Sequence, residues 1–139
     1  MSKGLNIEYA KKRENFRKTP YHCPAGHLTL WYGCNLESNI LEKAETMLEF
    51  CMDMADRDLK TSLPDYEYFP DFVQFVLRDM CFNMGIGRLL LFKKMLRRAI
   101  DRDWQAMADE LVDSKYYQQT GIRAKNNENI LRTGKIEVI

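Results

Sequence analysis

The sequence predicts an α+β fold that is predominantly helical, with a small N-terminal sheet, a long connecting helix and a helical C-terminal lobe. Three observations support this prediction. The stretch 14–40 is rich in turn and β-forming residues. A single amphipathic pattern occupies about 40–59, and helical patterns punctuated by Gly and Pro fill about 65–139. With 139 residues, the chain is expected to form a single domain, 1–139.

The N-terminal lobe is predicted from its turn chemistry. A short helix is expected over 5–14, with Leu5, Tyr9 and Ala10 toward the core, and this helix is assigned to the helical lobe. Pro24-Ala25-Gly26 predicts a turn, because Pro fixes its own φ and Gly accepts a positive φ. Strands at about 17–22 and 27–33 would then form a hairpin or a three-stranded sheet.

The helical lobe is predicted from apolar spacing and from helix-ending residues. Pro70 is expected to occupy the first position of a helix that runs to Met84, where Gly85-Ile86-Gly87 caps it. The further expected helices are Leu89–Ile100, Trp104–Asp113 and 121–132, the last one N-capped by Thr120 and ended by Gly134.

Composition restricts the classes of function. The sequence has no apolar run of the roughly 20 residues that a membrane span needs, and its start lacks the apolar core of a signal peptide. We therefore expect the chain in the cytoplasm of the producing cell. The net charge is +1, with basic ends around an acidic middle at 31–77. Basic and aromatic residues do not interleave, so nucleic acid is not an expected partner. A monomer without a cofactor is expected.

The four cysteines, Cys23, Cys34, Cys51 and Cys81, contain no C-x-x-C pair. In a cytoplasmic chain they are expected to be free thiols, with a Cys23–Cys34 bridge as the alternative. Cys51 and Cys81 lie in apolar helical stretches and are expected in the core.

The polar residues of 14–36 include candidate metal ligands and candidate nucleophiles. His22 and Cys23 are adjacent, so in a strand they point to opposite faces and do not form a metal site or a catalytic pair. A Cys23–His27 pair stays open, although the sequence offers no evident Asn or Asp to orient the histidine. Glu14 is a candidate acid or base, but taken alone such a residue is more often a surface glutamate.

Several motifs together carry a family resemblance. Glu14, Cys23 and Thr29 are separated by eight and five residues. The surrounding motifs are Glu-x-Phe-Arg, Tyr-x-Cys-Pro-Ala-Gly and Tyr-Gly-x-Asn-Leu, followed by 80–87, Phe92, Trp104, 113–120, Arg123-Ala124 and 131–134. This series, which covers nearly the whole chain, resembles the phage-type lysozymes, the endolysins of the T-even phage lysozyme family (glycoside hydrolase family 24).

The resemblance implies a lysozyme-like two-lobed fold and an enzyme that hydrolyses the β-1,4 bond between N-acetylmuramic acid and N-acetylglucosamine. Bacterial peptidoglycan would be its partner, reached after release from the producing cell. By position, Glu14 would be the general acid, and Thr29 would position the attacking water. Cys23, where the family more often has Asp, would be a base, a nucleophile or an electrostatic partner. Arg123 matches an arginine that pairs with the catalytic glutamate.

The resemblance also implies a substrate site lined by Asn35, Phe82 and Asn83. Inversion of the anomeric carbon is expected from it, whereas a retained configuration would indicate a covalent thioglycoside at Cys23. An arginine beside Glu14 would lower the carboxyl pKa, although an acid catalyst needs a raised pKa.

This chain departs from the family pattern at three positions of the N-terminal lobe. Trp31 stands where the family has a strand glycine, Cys34 where it has His or Arg, and Asn15 where it has the glycine after the glutamate. One alternative is therefore a catalytically weak or inactive lysozyme-fold protein that binds cell-wall glycan. Another, independent of the resemblance, is a helical interaction domain that uses the basic surface at 88–102.

Overall fold

The computed structural model describes residues 2–14 and 16–138, so Asn15 and its departure from the family pattern lie outside the described residues. Within these ranges there are eight α-helices, one 3₁₀ helix and three strands, which confirms the predicted α+β, predominantly helical class. Their order is α1 (Ser2–Arg13), β1 (Arg17–His22), β2 (Leu28–Trp31), β3 (Cys34–Asn35), α2 (Ile40–Ser62), a 3₁₀ helix (Tyr66–Tyr68), α3 (Asp71–Met84), α4 (Ile86–Leu89), α5 (Lys93–Ile100), α6 (Trp104–Val112), α7 (Lys115–Thr120) and α8 (Ile122–Thr133).

The chain divides into two compact units, Met1–Leu48 and Glu49–Ile139. Helix α1 falls in the first unit, so its assignment to the helical lobe stays a prediction. The apolar residues Leu5 and Tyr9, expected toward a core, are exposed. These two residues share one face at i and i+4, yet α1 buries none of its described residues.

The sheet of the first unit is antiparallel throughout, in the order β1-β2-β3. The predicted turn is present: the Gly26 amide donates to the Cys23 carbonyl at 2.8 Å, and Gly26 has φ 86°. The single strand expected over 27–33 is instead divided. Strand β2 ends at Trp31, and a tight turn at Tyr32-Gly33 leads into β3. The predicted three-stranded alternative is therefore the correct one.

Helix α2 is longer than the 40–59 predicted, since it continues to Ser62. Its last turn holds because the Leu63 amide donates to the Leu59 carbonyl at 2.8 Å, before Pro64. Of the predicted apolar stripe, Ala55 is buried, and Leu59 beyond it is fully buried.

The core of the second unit is organised around α3, whose buried residues are Val73, Val76, Leu77, Met80 and Cys81. Pro70 is the N-cap, one position before the predicted one. The Trp104 ring of α6 packs edge-on against Phe69 and Phe72, with ring centroids 6.1 and 6.0 Å away.

The prediction of one helix over Leu89–Ile100 was wrong. Helices α4 and α5 are separated by a turn in which the Leu91 and Phe92 amides donate three residues back. Four apolar residues in succession, 89–92, surround a helix instead of forming one face. The break lets Leu89 and Met95 both enter the core, whereas Leu91 stays exposed.

The N-cap predicted at Thr120 was also wrong, because an additional helix, α7, ends there. The Thr120 hydroxyl donates back to the Tyr116 carbonyl, and Gly121 precedes α8 instead. The start of α7 had a recognisable signal, since the Ser114 hydroxyl accepts the Tyr117 amide as an N-cap. Gly134 ends α8 as predicted, in the left-handed conformation.

None of the helices in the described ranges combines the length and the apolar character needed to cross a membrane.

We expect Asp103→Ala to lower the free energy of unfolding by about 1 kcal/mol, because the Asp103 carboxylate caps α6 by accepting the Ala106 amide at 3.0 Å. Urea denaturation measures the change. Asp65→Ala is the matched control, since Asp65 precedes the 3₁₀ helix without a side-chain capping bond. Equal losses in the two variants would contradict the assigned cap.

Candidate functional site

Glu14 lies directly after α1, with its amide bonded to the Ala10 carbonyl at 2.7 Å. Its side chain rests against the backbone of the turn between β2 and β3. A Cβ placed on Gly33 would lie 3.1 Å from the Glu14 carboxyl carbon and 3.2 and 3.3 Å from its two oxygens. Gly33 also has φ 85°, which side-chain-bearing residues rarely adopt. Glycine at this position therefore allows both the turn and the approach of the carboxylate.

Cys23 begins the turn that joins β1 to β2, and its thiol is half-buried. The backbone amide of His27 stabilises the thiolate and lowers the pKa of Cys23 below its ordinary value. Partial burial acts in the opposite direction, while two further turn amides add to the lowering. The turn thus favours a thiolate at Cys23 more than open solvent would.

Thr29 occupies the central strand of the sheet and is only 4% exposed. It pairs with Tyr21 on one side and with Asn35 on the other. Its hydroxyl donates to the His27 carbonyl at 2.9 Å. Because the proton is engaged there, the hydroxyl oxygen is left to act as an acceptor.

Asn35 connects the sheet to the following loop. Its side-chain oxygen accepts the Glu37 amide at 2.7 Å, and its main-chain carbonyl accepts the Lys43 ammonium. Both contacts hold the end of β3 in place.

His27 and Glu37 form a hydrogen-bonded pair that the sequence did not indicate. The His27 Nδ1–H donates to a Glu37 carboxylate oxygen at 2.6 Å. This contact is the main cause of the lowered pKa of Glu37. Glu37 therefore orients the histidine, a role for which the sequence offered no evident Asn or Asp. His27 contacts Cys23 through its backbone, while its ring contacts Glu37.

Trp31 is half-buried and has φ 56°. A left-handed backbone costs an L-residue about 1–2 kcal/mol, a cost that glycine does not carry. The structure thus gives a backbone reason for a glycine at this position, in addition to the space that the ring needs. The strained residue is two positions from Gly33, in the same turn.

The remaining candidates lie in the second unit, on α3 and α8. The Arg123 guanidinium donates to the Asp79 carboxylate through Nε at 3.0 and 3.2 Å and through a terminal nitrogen at 2.5 Å. The buried Asn127 amide donates to the same carboxylate at 3.0 Å. The guanidinium carbon is 5.8 Å from the centroid of the half-buried Phe82 ring. Asn83 is exposed.

The sequence did not lead us to expect Asp79 and Asn127 in this cluster. A signal existed at Asp79, since a carboxylate interrupts an otherwise apolar helical face and needs a partner. The pairing of Arg123 with Glu14 stays a prediction, because the two residues belong to different units.

All four cysteines are free thiols, as the sequence predicts. Over residues 2–14 and 16–138, no three His, Cys, Asp or Glu side chains gather in a way that would hold a metal ion.

Comparison with known proteins gives two matches. The family model described as Phage lysozyme matches residues 11–129. The chain is also similar to the pre-baseplate central spike protein Gp5 of Enterobacteria phage T4, with 34% identity over 108 residues. That alignment covers 74% of this chain and 18% of the spike protein, so the chain spans about a fifth of its relative's length. Because the family model spans Cys23, Thr29 and most of both units, this chain belongs to the phage lysozyme family.

Proposed function

We propose that this chain is a peptidoglycan-degrading muramidase that hydrolyses the β-1,4 bond between N-acetylmuramic acid and N-acetylglucosamine. Membership of the phage lysozyme family supports a lysozyme-type activity. The observation that carries the residue assignment is the Glu14 carboxylate, held against Gly33 in the turn of the sheet that bears Cys23 and Thr29. The enzyme would act on the bacterial cell wall as a monomer and without a cofactor.

In the proposed reaction, Glu14 is the general acid and gives its proton to the leaving glycosidic oxygen. Thr29 positions the water. Its hydroxyl proton is engaged by the His27 carbonyl, so its oxygen can accept a hydrogen bond from that water. The Cys23 thiolate takes the second proton of the water as the oxygen attacks the anomeric carbon. The proton lost by Glu14 and the proton gained by Cys23 balance, and the configuration at carbon is inverted.

Substrate binding is proposed for Asn35, Phe82 and Asn83. Asn83 offers an exposed amide, which can donate to and accept from the acetamido groups of the glycan. Phe82 presents a half-buried ring beside the Arg123 cation, a surface that suits the apolar face of a sugar. Asn35 borders Thr29 directly in the sheet.

A second candidate is a glycan-binding protein with little turnover, and the backbone of Trp31 favours it. A strained tryptophan where the family has glycine changes the turn that supports Glu14. Binding to purified peptidoglycan without clearing would support this candidate. If the protein neither binds nor clears peptidoglycan, the alternative is a helical interaction domain that uses the basic surface at 88–102.

Glu14→Gln should slow the clearing of permeabilised Gram-negative cells by about 10²–10⁴-fold, because the amide has no proton to give to the leaving oxygen. Turbidity measures clearing, and reducing-end release from purified peptidoglycan confirms it. Glu8→Gln is the control, since Glu8 lies on the exposed face of α1 beside Lys11. A clearing rate in Glu14→Gln equal to wild type would remove Glu14 from its proposed role.

Gly33→Ala should lower clearing between about 10-fold and 100-fold, because the new methyl group would displace the Glu14 carboxylate. The positive φ also costs about 1 kcal/mol of stability. Gly134→Ala is the matched control. It should carry the same backbone cost of a positive φ, since Gly134 has φ 71°, but its Cβ would lie no closer than 3.7 Å to Phe72. The two variants should therefore lose similar stability, and only Gly33→Ala should lose activity. Similar clearing by both would refute the positioning of Glu14.

The pH profile of clearing should depend on the Cys23 thiol. The thiolate is the basic form and is lost as the pH falls through the pKa of Cys23. Because that pKa is lowered, activity should persist to lower pH than it would with an ordinary thiol, whose pKa is about 8.5. Cys23→Asp should extend activity further toward acid, because a carboxyl ionises near about 3.9. Cys34→Ser, on the exposed β3, should leave the profile unchanged. Full activity and an unchanged profile in Cys23→Ser would exclude the thiolate as base.

A further inference from the structure

We propose that His27 and Glu37 are a positioning pair for the sheet-side site, holding the turn between β1 and β2 so that the Cys23 thiol and the Thr29 hydroxyl keep their relative placement. The catalytic meaning of this inference rests on the proposed function, whereas the positioning itself does not. Neither residue belongs to the motif formed by Glu14, Cys23 and Thr29.

Cys23 and Thr29 share one hydrogen-bond acceptor. The His27 carbonyl accepts the Cys23 amide at 2.9 Å and the Thr29 hydroxyl at 2.9 Å. A displacement of the His27 backbone would therefore move the hydrogen-bond partner of both residues at once. It would also move the His27 amide, which is the largest influence on the Cys23 thiolate.

The His27 ring is anchored by the segment that follows β3. Its Nδ1–H donates to Glu37 at 2.6 Å, and the Glu37 amide donates to the Asn35 side chain at 2.7 Å. Asn35 pairs with Thr29 across β2 and β3. The contacts thus form a closed circuit, His27 to Glu37 to Asn35 to Thr29 and back to His27. Such a circuit limits the turn more tightly than any single bond in it.

The His27–Glu37 pair is open to solvent and has other titratable groups nearby. Both side chains are exposed, 57% for His27 and 46% for Glu37, so their attraction contributes little to overall folding. Its main effect is on local geometry. The titratable groups nearby are Cys23 and His22, which donates to the Gly26 carbonyl at 3.2 Å and also acts on Glu37 through its charge. Lys43 lies on the far side of Asn35, bonded to its carbonyl.

The test measures the ionisation of Cys23 by its alkylation rate with iodoacetamide from pH 5 to pH 10. Cys34→Ser and Cys51→Ser are introduced first, so that Cys23 and the buried Cys81 are the remaining thiols. Glu37→Gln and His27→Ala are then compared with Glu42→Gln, an acidic residue in the first turn of α2. Clearing of peptidoglycan is recorded on the same samples, and melting temperature shows that each variant is folded.

We expect Glu37→Gln and His27→Ala to raise the midpoint of Cys23 alkylation by on the order of half a pH unit, with Glu42→Gln unchanged. Clearing near neutral pH should fall about fivefold or more in the first two variants. Midpoints equal to wild type in both folded variants would overturn the positioning pair. If wild-type protein does not clear peptidoglycan, the proposed function fails, yet the thiol midpoints still decide the inference. Shifted midpoints with unchanged clearing would refute the catalytic part alone.

Discussion

The close approach of the Glu14 carboxylate to the backbone at Gly33 is the constraint on which the sheet-side site depends. A Cβ on Gly33 would press on this carboxylate at 3.1 Å and force it to shift, and Gly33 itself has a positive φ. Both demands are met by one glycine. The strands on either side then fix Thr29 in the central position, and the turn at Pro24-Ala25-Gly26 fixes Cys23. The three candidate residues therefore depend on two tight turns and one short sheet.

The second unit obtains its order in a different way. Its stability comes from a continuous apolar core around α3, where Val73, Val76 and Met80 are fully buried. Among the polar contacts of this unit, the Asp79 carboxylate accepts hydrogen bonds from both Arg123 and Asn127. The Asp79 carboxylate is half-buried, so loss of either donor would leave a partly desolvated charge with fewer partners. Arg123 is therefore held in place by its own unit, independently of any partner in the first.

Local chemistry made much of the fold predictable. Pro24 and Gly26 specified the first hairpin, and Gly134 specified the end of α8, since Pro fixes its own φ and Gly accepts a positive φ at little cost. The break after Leu89 was missed, because burial of Leu89 and Met95 overrides a pattern that looks helical along its length. The start of α7 was missed although Ser114 is a typical N-cap residue.

The candidate site was predictable only in part, and for a related reason. Spacing and resemblance indicated Glu14 and Thr29. The partners that orient the site join residues far apart in the chain: ten positions separate His27 from Glu37, and 44 separate Asp79 from Arg123. The spacing of residues within one helix or strand does not indicate such contacts. Trp31 was recognised as unusual from its size, while its left-handed backbone appeared only in three dimensions.

Trp31 also has a practical consequence for following this molecule in solution. The chain has two tryptophans, and they fall in different units: Trp31 in the small sheet and Trp104 against Phe69 and Phe72 in the helical core. Indole emission responds to the polarity around the ring, so each unit contains its own optical reporter. Replacing Trp104 by Phe would leave a signal from the sheet alone, and the order in which the two units lose structure becomes directly observable.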